Sequence, residues 1–203
     1  KDNMVIIGDF YEVAGSKAAV ILLHMMPADR KSWVDFAASL EKVGLSSLAI
    51  DLRGHGESQG GPAGFKGFTD KEHQASIEDA EAAVLWFREK GLEKIALGGA
   101  SIGANLALWY LAERTGPEIK SAVLLSPGLD YRGIKAEPLA SKLAADKSIY
   151  IVSEMAEDAQ KIFGLTKSGK KIRLCEDRFH GTDILRQNPD LEEELAKWVK
   201  KNI

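Results

Sequence analysis

Residues 95–108 read IALGGASIGANLAL. An apolar run ending at Leu97 meets a cluster of small residues, with Ser101 set between Gly99 and Gly103, and helix-compatible residues follow at once. A strand, a turn carrying Gly-x-Ser-x-Gly and then a helix is the pattern of a nucleophile elbow. The turn imposes strained dihedrals on the serine and lifts its hydroxyl above the sheet. Side chains two residues to either side would clash, which accounts for the glycines. The same turn places Ser101 at a helix N-terminus, where free N–H groups favour developing negative charge.

The pattern of the rest of the chain agrees with a sheet that could hold such a turn. Ala18–Leu23, Ser46–Ile50, Lys94–Leu97, Ser121–Leu125, Ile149–Ser153 and Lys171–Cys175 read as strands. Most are unbroken apolar runs, as expected of strands buried on both faces. Val5–Ile7 and Phe10–Val13 read as two short strands that pair antiparallel at an edge. Helical spacing runs through Ser32–Val43, Ile77–Lys90, Ile102–Arg114 and Ala156–Phe163, with Gly116-Pro117 closing the third. A last helix has Asn188 as N-cap and Pro189 at its first position, with acidic residues early and lysines late. Strands alternate with helices, and no repeat or linker interrupts them. The expectation is one α/β domain over residues 1–203, a mostly parallel sheet with helices on both faces. Ligands of such sheets bind beyond the carboxyl ends of the strands.

Composition narrows the function classes. The chain has 27 Lys and Arg against 30 Asp and Glu, a net charge of −3, so no global positive field draws it to nucleic acid. The short basic cluster Lys167–Lys171 reads as a solvated turn. No apolar run approaches a membrane span. The first residues lack a secretory signal pattern, so the expected compartment is the cytoplasm, although a removed leader would leave no trace. The single cysteine, Cys175, cannot form an internal disulfide and reads as a half-buried structural thiol. The histidines and the cysteine have no metal-ligand spacing, and no cofactor or metal is expected.

The strand ends carry the chemistry. A serine hydroxyl is a weak nucleophile and needs a base. Of the four histidines, His180 lies after the last strand, which suits the order Ser, acid, His. His24 and His55 sit in loops punctuated by glycine or proline and read as backbone braces. His73, within TDKEHQ, reads as exposed.

With these residues in view, the chain resembles the α/β-hydrolase superfamily along essentially its whole length. His24-Met25-Met26-Pro27 is similar to the oxyanion-loop motif, with Met25 in place of the usual glycine. Asp51–Ser58, DLRGHGES, resembles a loop of esterase and lipase-like members, and the elbow and the His180 segment complete the likeness. The resemblance implies that Ser101 attacks an ester-like carbonyl while His180 takes the proton. It implies an oxyanion hole from the N–H groups of Met26 and Ile102. The short connection from Ser126 to Ile149 leaves no room for a cap domain, which suits a small acyl substrate. The chain departs from the family at the acid: no Asp stands in the usual place after IYIVS. Glu154 is nearest the strand end and is chosen as the orienting acid, with Glu157 and Asp158 reading as first-turn helix residues; alternatively the acid is absent.

Two rivals remain. A non-catalytic binding protein on the same fold would use the same site without an acyl-enzyme. A nucleotide-binding oxidoreductase would draw on Gly98-x-Ala100-x-x-Gly103 and on Tyr131-x-x-x-Lys135. Such a glycine loop should follow the first strand, and no ribose-binding acid follows at the required distance. Oligomeric state is not legible.

Overall fold

The apolar runs become interior strands because a strand covered by helices on both faces presents no polar side. The computed structural model describes residues 2–114, 116, 118–167, 169–175 and 178–203. The strands are β1 (Gly8–Tyr11), β2 (Ala18–Leu23), β3 (Ser46–Ile50), β4 (Lys94–Ala100) and β5 (Ile119–Leu125), then a hairpin of β6 (Asp130–Tyr131) and β7 (Ile134–Lys135), then β8 (Ser148–Ser153) and β9 (Gly169–Leu174). The helices are α1 (Val34–Lys42), α2 (Asp70–Gln74), α3 (Ile77–Glu89), α4 (Ile102–Glu113), α5 (Ala136–Lys142), α6 (Ala156–Leu165), α7 (Asp183–Gln187) and α8 (Pro189–Asn202). Seven strands form the main sheet in the order β1-β3-β2-β4-β5-β8-β9. Only β1 runs antiparallel, against β3 at the edge.

Alternate side chains go to opposite faces, as the pleat requires. From β2, Ala19, Ile21 and Leu23 pack with α3 and α4, while Ala18, Val20 and Leu22 pack with α1 and α8. Phe36 and Leu40 of α1 and Leu191, Leu195 and Val199 of α8 are almost fully buried, each worth about 1.5–3 kcal/mol relative to an exposed position. The polarity of α8 matches its helix dipole: Pro189 opens it, Asp190 and Glu192 fill its first turn, and Lys200 and Lys201 its last.

Several expectations change. Val5–Ile7 is not a strand; Ile7 is held by the 51–58 loop instead, its N–H donating to Ser58 Oγ (2.8 Å) and its carbonyl accepting from the Asp51 N–H (2.9 Å). The first helix begins as a 3-10 turn at Arg30–Trp33 before becoming α1. The basic cluster is no turn: Lys170 and Lys171 lie in β9, an edge strand whose exposed charges discourage further strand pairing. Pro117 and Ser168 lie outside the described residues. Between β5 and β8 the chain carries the β6–β7 hairpin and α5, and among the described residues no cap domain stands over the strand ends. Among the described residues no helix is long and apolar enough to cross a membrane.

Candidate active site

Ser101 sits between β4 and α4 with φ 53° and ψ −120°, a conformation that a non-glycine residue adopts only under constraint. Both flanking glycines are required by close backbone approach. A Cβ on Gly99 would lie 2.1 Å from the Gly103 carbonyl oxygen, and one on Gly103 would lie 2.3 Å from the Leu23 carbonyl oxygen. The Ser101 N–H is fixed to the Leu125 carbonyl at the end of β5 (2.8 Å). The turn thus locks onto both neighbouring strands.

The next strand ends bring up the other side chains. Glu154 directly follows β8 and His180 lies beyond β9. The His180 ring bonds through Nδ1 to Glu154 Oε1 (2.6 Å), with the histidine side chain about one-third exposed and the glutamate 14% exposed. A carboxylate can only accept, so Nδ1 carries the proton, and in the neutral ring Nε2 is the acceptor. Burial pushes the Glu154 carboxyl up, but hydrogen bonds from His180 and Ser126 outweigh it and hold the carboxyl below its ordinary value. His180 is kept near the elbow through its neighbour: a Cβ on Gly181 would lie 3.4 Å from the Ala100 Cβ and 2.5 Å from Met25 Sδ. Among the described residues no hydrogen bond joins His180 to Ser101.

Met26 and Ile102 present free N–H groups on the same rim. Ile102 is the first residue of α4, where N–H groups have no intrahelical partner. Among the described residues the Met26 N–H has no protein acceptor. Its direction is set through the Met25 carbonyl, which accepts from His24 Nδ1 (2.9 Å) and from the Ala28 N–H (2.8 Å). In a trans peptide the N–H points opposite to the carbonyl, so this grip aims the Met26 N–H away from His24. His24 Nε2 accepts in turn from the Leu52 N–H (3.0 Å), and burial pushes the ring's pKa down to about 4. His24 and His55 are braces, as expected, His55 bonding the Arg53 carbonyl through Nδ1 (3.0 Å). His73 is not exposed: at 2% accessibility it packs edge-on under Phe68, because the capped start of α2 turns it inward.

The DLRGHGES loop is held by buried ion pairs. Arg30 bonds Asp51 and Glu57 through its guanidinium and Asp51 Oδ1 through its N–H (2.7 Å). Arg53 grips Asp79, itself 1% exposed, through Nε (3.0 Å) and Nη2 (2.6 Å). No cluster of three metal-ligating side chains occurs among the described residues.

Two site residues had no sequence signal pointing to their place. Tyr131, weighed only as half of a dehydrogenase pair, stands beside Ser101. Its hydroxyl lies 3.4 Å from the Ser126 carbonyl and 3.5 Å from Met155 Sδ. Burial raises its pKa, the nearby Ser101 hydroxyl opposes this, and the Glu154 and Asp158 carboxylates add to it, so the phenol stays protonated. Its ring lies flat over Gly128, where a Cβ would come within 2.7 Å of it. Asn105 of α4 pins the loop beneath through the Gly128 and Ile134 carbonyls (2.9 and 2.8 Å). Asp158 caps no helix end but accepts from the Leu129 N–H of the same loop (3.1 Å). Ser126, the second missed residue, bonds Glu154 directly (2.6 Å).

A serine on a strained elbow, facing a histidine loop across a mostly parallel sheet, defines a hydrolase-type α/β fold. Residues 18–171 match the family model described as alpha/beta hydrolase fold, and the chain belongs to that family. It is 28% identical over 205 residues to the AB hydrolase superfamily protein YisY of Bacillus subtilis, covering 92% of this chain and 72% of that protein. It is 33% identical over 112 residues to epoxide hydrolase 3 of Siraitia grosvenorii, spanning only 33% of that relative. Among solved structures, an esterase from Pyrococcus furiosus superposes with a TM-score of 0.79 at 21% identity, covering 99% of this chain and 87% of that one. Est1E of Butyrivibrio proteoclasticus, solved with ferulic acid bound, gives 0.76 at 16% identity, covering 96% and 95%.

Proposed function

We propose that this chain is a serine hydrolase that cleaves small carboxylic esters through an acyl-enzyme on Ser101. The observation that carries the reading is the His180–Glu154 hydrogen bond through Nδ1, which turns Nε2 away from the carboxylate on the strand-end rim that bears the elbow serine. Ser101 Oγ attacks the ester carbonyl as His180 Nε2 takes its proton. The carbonyl oxygen becomes an oxyanion that accepts from the Met26 and Ile102 N–H groups. Collapse of the intermediate expels the alcohol, protonated by His180. Water then adds to the acyl-enzyme with His180 again as base, releasing the acid and restoring Ser101. Glu154 holds the imidazole tautomer throughout. No step calls for a cofactor. The esterases among the structural neighbours and the absence of a cap over the site support a small, accessible acyl substrate.

The test is a fluorophosphonate probe read by intact mass, followed by a screen of short acyl esters. The expected result is one adduct on the wild type and none on Ser101→Ala. A binding protein without catalysis is the second reading, drawn from the missing Ser101–His180 bond. Folded wild-type protein that takes up no probe would decide for it.

A further inference from the structure

The first serine after β5 has no part in the mechanism above, yet three features single it out. Ser126 is fully buried and has φ 50°, so it joins Ser101 among the few non-glycine residues with a left-handed backbone. Its backbone is fixed between strands, its N–H donating to the Val152 carbonyl of β8 (2.8 Å). Its hydroxyl donates to Glu154 Oε2 (2.6 Å) and accepts from the Gly181 N–H (2.8 Å). With the bond from His180 Nδ1 to Glu154 Oε1 (2.6 Å) the ring closes. It runs from the serine to the carboxylate, to the imidazole, one residue along the chain to Gly181, and back to the serine.

We propose that Ser126 is a positioning residue that clamps the orienting carboxylate and the histidine loop to each other, so that the imidazole is held from both its side chain and its backbone. The inference rests on the assignment of Ser101, His180 and Glu154 as the catalytic set. A carboxylate has two oxygens, and the one not bonded to His180 would otherwise be free to rotate the group out of the imidazole plane. The Ser126 O–H occupies that second oxygen. The same oxygen atom, through its lone pair, stops the His180–Gly181 peptide from drifting off the rim. A hydroxyl can do both because it donates once and accepts as well.

The backbone strain at Ser126 makes the test discriminating. Ser126→Gly removes the hydroxyl and relieves the left-handed strain; Ser126→Ala removes the hydroxyl and keeps the strain. If Ser126 positions the pair, both variants lose about tenfold to hundredfold in kcat with KM little changed, and their fluorophosphonate labelling slows alike, whatever their melting temperatures. If Ser126 only shapes the backbone, Ser126→Gly keeps wild-type kcat, and the proposal falls. A second readout is independent of turnover. The hydrogen-bonded His180 Nδ1 proton gives a far-downfield NMR resonance, expected in the wild type and lost or broadened in folded Ser126→Gly. A resonance unchanged in that variant, or absent from the wild type, overturns the proposal. A wild type that takes no probe but shows the Ser126-dependent resonance would refute the acyl-enzyme reading and leave the clamp standing.

Discussion

The rim of the sheet has two halves that use their polar residues differently. The half after β2 and β3 carries His24 and Asp51–Ser58, and its side chains bond mostly to backbone or to one another in buried ion pairs. His24 joins the Leu52 N–H to the Met25 carbonyl, Ser58 Oγ donates to the Asp51 carbonyl, and Asp51 holds Arg30. The half after β5, β8 and β9 carries Ser126, Glu154 and His180, whose side chains bond in series and leave an imidazole nitrogen for chemistry. The first half has the more recognisable sequence motif, yet its side chains brace backbone, among it the Met25 carbonyl. The second has almost no motif and holds the groups assigned to proton transfer. A conspicuous motif can therefore mark a backbone constraint, while catalytic side chains need only reach one another.

If that contrast holds, changes in the second half should alter rate without stability, and changes in the first half should do the reverse. The largest effect is expected for Glu154→Gln. It leaves the shape intact but favours the wrong imidazole tautomer, and kcat should fall by about 10,000-fold with a melting temperature near that of the wild type. Steady-state kinetics with a short acyl ester, beside a thermal melt, checks both parts.

Asp51→Ala should act in the opposite way. It removes the buried acceptor of the Arg30 and Glu57 N–H groups while Arg30 keeps Asp9 and Glu57 as ion-pair partners, and should cost about 1–3 kcal/mol of stability in urea unfolding. Fluorophosphonate labelling of the protein that remains folded should change little. A large loss of labelling with unchanged stability would erase the distinction between the halves.

Acid should also strike the first half. The folded-state pKa of His24 lies below its unfolded value, so the folded protein resists taking up the proton that the unfolded chain accepts. Stability is therefore full above about pH 6.5, falls as pH drops toward about 4, and is flat with respect to this group below that, a total of about 3 kcal/mol. The proton would occupy Nε2, the atom that accepts from the Leu52 N–H. Burial shifts His55 and His73 the same way, steepening the fall. Unfolding free energies measured between pH 4 and 8 would show this slope, and a flat profile would remove the buried-brace reading of His24.

The smallest effect is expected at Tyr131, which touches both the site and its supporting loop. Tyr131→Phe keeps the ring on Gly128 and deletes the hydroxyl beside Ser101, and should lower kcat/KM by about tenfold with little change in stability. A drop in melting temperature without a kinetic effect would move Tyr131 into the supporting class.

The elements of this fold were legible in the sequence wherever a residue's surroundings are set by its near neighbours along the chain. Short apolar runs bounded by turn signals read as strands buried on both faces, and they mark the central parallel strands. Gly99-x-Ser101-x-Gly103 is legible because part of its constraint is local: a Cβ on Gly99 would meet Gly103 of the same turn, whereas one on Gly103 would meet Leu23 of the neighbouring strand. Pro189 and the graded charges of α8 announce that helix for the same reason. His180 is chosen by its order in the chain and Glu154 by its place at a strand end, and the fold brings the two within hydrogen-bond distance. The sequence alone did not determine what Ser126, Tyr131, Asn105 and His73 do. Ser126 meets Glu154 across 28 positions and Gly181 across 55, and Asn105 meets Gly128 across 23. Those contacts exist because parallel strands bring their carboxyl ends together on one rim, whatever their separation in the chain. A hydroxyl's partners there depend on strand order and register, which only the folded sheet defines.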